Sequence, residues 1–397
     1  MSCEELENIY EEMNNRNQSI NLYDIKYDTN LDKSTDYCYA IYSLGNWYLQ
    51  PSWLRLNKYI REIITEDIGC FYSIHPSATD GMLHQTLLQF ISFANSNKYN
   101  DYNIKQSLEE CYRIIKEYGK YLQVTYRGLV WTKTGLALRG YPNTSKDYEY
   151  IMNIRNRIET ALKEKKLPCD IPYKNDILHS TFLRWKTPPS QEVIDKLNNT
   201  INKWDECVFG EVRISEWNIG KASWKMLDSE REDIYSVRVP KILLHRGNNR
   251  IDNLPENDPA TINIRNNEGY AVECDIWFKE EKWYLGHDAP EYEVLDLEEF
   301  LSERSNLIHA KDGKTFAKLL KYCRERGFNN EIFYHTSEDY VLTTRENIIA
   351  YPGKTLYNEN FCMMPESMGR DITEEEKKNI VEICSDNIDL IRSIYNI

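Results

Sequence analysis

The chain has 397 residues, 41% of them hydrophobic, a net charge of −14 and no long apolar run, which predicts two soluble globular domains and no membrane span. The acidity is uneven, −11 from Lys241 onward against −3 before it, so neither half offers the basic face that gripping a long nucleic-acid duplex requires. Ten cysteines with no C-x-x-C pair and an acidic N-terminus predict reduced thiols, no zinc or disulfide framework and a cytoplasmic location.

In chain order, Leu6, Ile9, Tyr10 and Met13 predict a short amphipathic helix that packs on the following domain. The run from Tyr37 to Gln50 has strand composition, Trp53 to Ile64 reads as a helix and Cys70 to Ile74 as a strand. A loop containing His75 leads to Leu83-His84-Gln85-Thr86-Leu87-Leu88-Gln89-Phe90. The stripe Ile104, Leu108, Cys111, Ile115 marks a helix over 104–119, and a β section from Leu122 to Gly140 turns near Thr132-Lys133-Thr134-Gly135. Tyr148 to Lys166 is again helical and precedes Leu178-His179-Ser180-Thr181-Phe182-Leu183-Arg184-Trp185. A helix from Gln191 to Trp204 and strands over 211–217 and 234–239 close the first domain near Pro240.

The two octapeptides match almost position by position: Leu-His, a threonine two residues on, an apolar residue, leucine, a polar residue and an aromatic. On a strand, alternate side chains share a face, so His84 points with Thr86 and His179 with Thr181. Set side by side, such strands would surround one small anion with two imidazoles and two hydroxyls. The same flanks also fit two repeated core strands with no chemistry.

This pair of His-x-Thr strands resembles the 2H phosphoesterase superfamily, over about residues 35–235. The resemblance implies an α+β fold of two duplicated lobes, with His84 and His179 as catalytic histidines and Thr86 and Thr181 as donors to phosphate oxygens. It implies no cofactor and a small nucleotide or short RNA end as substrate: a 2′,3′-cyclic phosphate, a 2′-5′ linked oligonucleotide or a cyclic dinucleotide. Near an ordinary imidazole pKa of about 6.5, both protonation forms are present at neutral pH. Tyr72 and Trp131 are candidates for stacking on a base.

In the second half, residues 241–397, the strand Lys241-Ile242-Leu243-Leu244 runs into His245-Arg246-Gly247, followed by Pro255-Glu256-Asn257, Val272-Glu273-Cys274-Asp275 and Gly286-His287-Asp288. Glu273 and Asp275, two apart on a strand, share a face and suit a divalent cation such as Mg²⁺ or Ca²⁺. The ordered blocks resemble the glycerophosphodiester phosphodiesterase family over about residues 241–366, which implies an α/β shortened TIM-barrel-like domain. His245 and His287 would then be the acid/base pair, Arg246 and Lys311 substrate contacts, and Glu273, Asp275 and Glu256 members of the metal set. Where that family carries a further acidic ligand, this chain has His309, two residues before Lys311. His335 lies on a later strand end and carries no assigned role. Thr373-Glu374-Glu375-Glu376 begins a predicted C-terminal helix whose Ile380, Ile383, Cys384 and Ile391 cover the domain.

Two phosphodiesterase-like modules in one chain predict a bifunctional hydrolase. The rival expectations are a protein that sequesters a nucleotide uncut and a hydrolase whose second domain alone is catalytic.

Overall fold

The computed structural model describes residues 3–18, 37–73, 81–132, 134–171, 176–223, 226, 230–250, 252–303, 305–357 and 360–395. The chain divides into two units, Met1–Val237 and Arg238–Ile397, both mixed α and β. No helix among the described residues is long and apolar enough to cross a membrane, and Cys38, Cys70, Cys111, Cys169, Cys207, Cys274, Cys323, Cys362 and Cys384 are free thiols.

The first unit runs α1 (Cys3–Gln18), β1 (Cys38–Ser43), β2 (Asn46–Leu49), α2 (Pro51–Ile63), β3 (Gly69–Ser73), β4 (Gly81–Met82), β5 (Gln85–Ile91) and α3 (Asp101–Tyr118). It continues through β6 (Leu122–Thr132), β7 (Gly135–Pro142), α4 (Ser145–Glu164), β8 (Leu178–Trp185), α5 (Gln191–Trp204), β9 (Val208–Ile214), β10 (Glu216–Ala222) and β11 (Arg231–Arg238). The strands form two unequal sheets, ordered β11-β10-β1-β5 and β2-β9-β6-β7-β8-β3-β4. Four stretches of chain leave one sheet for the other: β1 to β2, β4 to β5, β5 to β6 and β9 to β10. At the first of these, Gly45 takes φ +59°, a conformation that costs glycine nothing.

Helix α4 shows how local sequence sets the elements. Thr144 caps it, its hydroxyl accepting from the Asp147 amide at 3.1 Å, and Ile151, Ile154, Ile158 and Leu162 bury one stripe. The N-terminal helix is tied down by Leu6 and Tyr10, both buried, and by Glu7, which pairs with fully buried Arg139 at 3.1 Å.

The second unit contains β12 (Lys241–His245), α6 (Pro259–Glu268), β13 (Ala271–Lys279), β14 (Lys282–Leu285), β15 (Tyr292–Glu293), α7 (Leu297–Ser302), β16 (Leu307–Ala310), α8 (Gly313–Arg326) and β17 (Glu331–Phe333). After these come β18 (Tyr340–Leu342), β19 (Ile348–Ala350), β20 (Asn360–Met363), α9 (Glu374–Asn379), β21 (Ile380–Ser385) and α10 (Ile388–Tyr395). Pro259 at the start of α6 and Gly269 at φ +93° just past its end follow the usual asymmetry of helix termini. Parallel pairing runs β17-β16-β13-β12-β21-β20-β19, so the unit's first strand lies between its second and its last. In the chain β18 follows β17 and pairs antiparallel with β19, and beyond β18 the Thr344 amide bonds the Ile332 carbonyl of β17 at 2.9 Å. Seven parallel strands, among the described residues, stand against the eight of a complete TIM barrel.

One expected element is corrected. Ile380, Ile383 and Cys384 belong not to a helix but to β21, whose six residues are all buried between β12 and β20. A parallel strand covered on both faces reads as a continuous apolar run, and the capping box at Thr373 ends after one short helix.

Candidate functional site

In the first unit, His84 sits where the chain changes sheets. The Leu83 amide still bonds the Ser73 carbonyl at 2.8 Å, whereas from Gln85 onward the chain pairs with β1. His179 is the second residue of β8 in the other sheet. His84, Thr86, His179 and Thr181 are all half-buried, while the intervening Gln85 and Ser180 are buried, as strand alternation requires. The two motifs touch: Ser180 Oγ donates to the His84 carbonyl at 2.9 Å. Buried Arg155 of α4 ties β5 to the residue just before β8, with Nε on the Leu87 carbonyl at 2.6 Å and a terminal nitrogen on the Ile177 carbonyl at 3.2 Å. Replacing it by leucine should cost about 2–3 kcal/mol, since hydrogen bonds from a charged donor are lost. A thermal melt should then show Tm lower by roughly 5–10 °C.

The His84 Nδ1 lies 2.8 Å from the Met82 carbonyl. A carbonyl only accepts, so Nδ1 carries the hydrogen and the neutral ring presents its lone pair at Nε2. Burial pushes both imidazoles down to about 4; the Arg184 guanidinium adds to the depression of each, and His84 itself adds to that of His179. The expectation that both forms coexist at neutral pH is thereby corrected, because in the free protein both rings are neutral there.

Arg184, near the end of β8, is the cation common to both rings, and its Nε donates to the Tyr72 hydroxyl at 3.1 Å. Tyr72 and Trp131 are each only 1% exposed, so neither presents a face to a base. Trp131 packs on Trp185 with ring centroids 5.8 Å apart. Both stacking assignments are corrected to core roles, with Tyr72 a support for Arg184. His75 lies outside the described residues.

In the second unit, the candidate groups gather at or near the C-terminal ends of the parallel strands, where open α/β sheets and barrels place their ligands. They line a pocket of about 210 Å³ that includes His245, Arg246, Glu273, Asp275, His287 and His309. Asp275, 1% exposed, accepts from His309 Nδ1 at 2.8 Å, Lys311 Nζ at 3.0 Å and Asn257 Nδ2 at 3.0 Å, and the Arg246 guanidinium forms an ion pair with it at 3.4 Å. Burial opposes its charge, but these partners outweigh it and hold the carboxyl well below the usual range. Glu273, 2% exposed, is the opposite case: burial, then the Asp275 charge, lift its carboxyl to about 7. Its Oε2 has no hydrogen-bond partner. Glu273, Asp275 and His309 offer ligand atoms that all lie within 4.8 Å of one another.

His245 directs Nδ1 at Asp386 Oδ1, 3.0 Å away, and its Nε2 is 4.0 Å from Glu273 Oε2. Burial works against the protonated ring, yet the Asp386 hydrogen bond and the Glu273 charge raise its pKa above the ordinary value. His287 lines the pocket and pairs with Asp288 at 2.7 Å. Three non-glycine residues around this site, Arg246, Asn257 and Met364, hold left-handed backbone with φ between 50° and 56°, a strain typical of functional loops. Glu256 is corrected as a metal ligand: it is exposed and turned onto Arg246 at 3.0 Å, and its buried neighbour Asn257 faces Asp275 instead.

No family model matches the chain, and no curated protein matches it in sequence. Among solved structures, TT0787 of Thermus thermophilus is 15% identical, with 52% of this chain and 98% of that one covered at a TM-score of 0.32. Kluyveromyces marxianus Usb1 with uridine monophosphate is 11% identical, covering 52% and 99% at 0.31. The MHV ns2 PDE domain is 11% identical, covering 47% and 99% at 0.25. The functional reading therefore rests on this chain's own residues.

Sequence reasoning passed over Arg184, Asn257 and Asp386. Arg184 stood inside the second octapeptide as a mere polar position, and Asn257 sat beside the glutamate that drew attention. Asp386 follows β21, so taking that strand for a helix hid it.

Proposed function

We propose that the first unit is a metal-independent phosphodiesterase acting on a small nucleotide or RNA end whose phosphorus carries a ribose 2′-oxygen. The observation that supports this most is the 2.9 Å bond from Ser180 Oγ to the His84 carbonyl, which sets the two His-x-Thr motifs against each other. His84 suits the base, because its Nδ1 is held on the Met82 carbonyl and Nε2 is left to take a proton from water. As the new P–O bond forms and the bond to the ribose oxygen breaks, protonated His179 gives its proton to that leaving oxygen. Thr86 and Thr181 donate to the non-bridging oxygens, and Arg184 offsets their growing charge.

The depressed imidazoles fix the pH dependence. Above about 4 the proton on the acid is lost progressively, so kcat/KM should peak well below about pH 6.5 and fall toward neutrality. Arg184→Gln removes a cation that depresses both rings, so the falling limb should move to higher pH while the maximum rate drops. A pH series on both proteins checks this, and an unmoved limb would remove Arg184 from the site.

A second reading is supported by the unpartnered Glu273 Oε2 in the second unit. Glu273, Asp275 and His309 would hold a divalent cation, which polarises a phosphodiester and neutralises its charge. His245, oriented by Asp386, and His287 would move protons, and Arg246 and Lys311 would bind phosphate oxygens. The test is Glu273→Gln, which should abolish a metal-dependent cleavage of a glycerol-type phosphodiester that His84→Ala retains.

A further inference from the structure

We infer that the pocket of the second unit selects a borderline first-row transition ion, of the Mn²⁺ to Zn²⁺ series, over Mg²⁺ and Ca²⁺. This rests on the second reading above only so far as the pocket is a cation site; it does not require phosphodiester cleavage.

The donor set carries the inference. Mg²⁺ and Ca²⁺ are hard ions that take oxygen ligands, whereas an imidazole among the ligands shifts preference toward transition ions. Here the three groups whose ligand atoms converge are Glu273, Asp275 and His309. His309 Nδ1 lies 2.8 Å from Asp275 Oδ1 and 3.8 Å from Glu273 Oε1, so an ion ligated by Nδ1 takes the place of the hydrogen this nitrogen shares with Asp275 and leaves the ring's hydrogen on Nε2. Ligand atoms bound about 2.1 Å from one ion at ordinary angles lie roughly 3.0–3.8 Å apart, so these groups are already near ligating separation.

Two independent observations point to a ligand rather than to a closed polar cluster. Glu273 is 2% exposed and its Oε2 has no hydrogen-bond partner, a cost that a bound cation would remove. Moreover, four of the chain's seven histidines, His245, His287, His309 and His335, line this single pocket. Two of them stack, the His309 and His335 rings lying 4.7 Å apart at 20°, with the Phe333 ring also stacked on His309 at 4.5 Å. These aromatic contacts fix the plane in which His309 presents its nitrogen, as supporting contacts do for a metal-binding imidazole. Lys311 Nζ, 3.0 Å from Asp275 Oδ1, competes for that carboxylate and favours ions that bind imidazole strongly.

The experiment uses the full chain, stripped with chelator and desalted, and titrates Mn²⁺, Co²⁺, Zn²⁺, Mg²⁺ and Ca²⁺ chlorides separately by calorimetry. Co²⁺ or Zn²⁺ should bind at least about a hundredfold more tightly than Mg²⁺ or Ca²⁺. His309→Glu should shrink that ratio to under about tenfold by supplying a third carboxylate, and the tight ion should persist in the His84→Ala, His179→Ala double variant. Should His309→Glu fail to fold, the wild-type chain labelled at its histidine nitrogens still decides the matter, because Zn²⁺ must shift a ring-nitrogen resonance on binding. Mg²⁺ binding within about tenfold of Zn²⁺, an unchanged ratio in His309→Glu, or Zn²⁺ binding with every histidine resonance unmoved would each overturn the selectivity while leaving a cation site in place. If no ion binds at all, the cation-site reading falls as well.

Discussion

His84→Ala and His179→Ala should each lower kcat on a 2′,3′-cyclic phosphate by about 10²–10⁴-fold, the range that a positioned acid or base contributes. The two losses should not multiply, because proton removal and proton donation serve one displacement, and the double variant should sit close to the slower single one. The variants should part on leaving group. With a nitrophenyl ester, whose departing oxygen needs no proton, His179→Ala should recover most of its rate and His84→Ala should not. That split follows from the Met82 carbonyl, which holds the hydrogen on His84 Nδ1 and leaves Nε2 as a base. Equal rescue of both variants would remove the assignment of base and acid, and near-full activity in either would remove the site.

The second large effect concerns stability. In chelator, Asp275→Ala should destabilise the second unit by about 3–5 kcal/mol, the usual result of deleting one partner from a buried ionic cluster. Lys311 Nζ at 3.0 Å and Arg246 Nε at 3.4 Å would then face an emptied interior position, and Asn257 would lose an acceptor at 3.0 Å. Glu273→Gln, two residues away on the same strand, should by contrast be neutral or stabilising. Its carboxylate is buried with one oxygen unpartnered and lies beside the Asp275 charge. Denaturant melts of both variants measure the difference. A large loss in Glu273→Gln and none in Asp275→Ala would reverse the electrostatic account of the pocket.

Much of this was legible where one face of an element is buried and the other wet. The stripe from Ile104 to Ile115 gave α3, the helix expected over Tyr148 to Lys166 corresponds to α4, and α5 spans Gln191–Trp204 as expected. The His-x-Thr alternation was readable for the same reason, since period two puts both side chains on one face of a strand. Legibility failed where burial is two-sided or where a contact is made by the fold alone. The fully buried β21 carries no period, so its strand character and Asp386 just beyond it were hidden. Tyr72 and Trp131 have the composition of base-stacking residues, but the strands that bear them turn both rings into the core. The depression of both histidines depends on burial and on Arg184 lying near them in space, which spacing along the chain does not encode.

The most direct measurement is turnover of a panel of cyclic, 2′-5′ and glycerol phosphodiesters by the wild-type chain in excess EDTA. Cleavage of a substrate bearing a ribose 2′-oxygen at phosphorus, at a rate the chelator leaves unchanged, is the predicted result. Loss of that cleavage in chelator, or return of every nucleotide intact, would contradict a two-histidine site that works without metal.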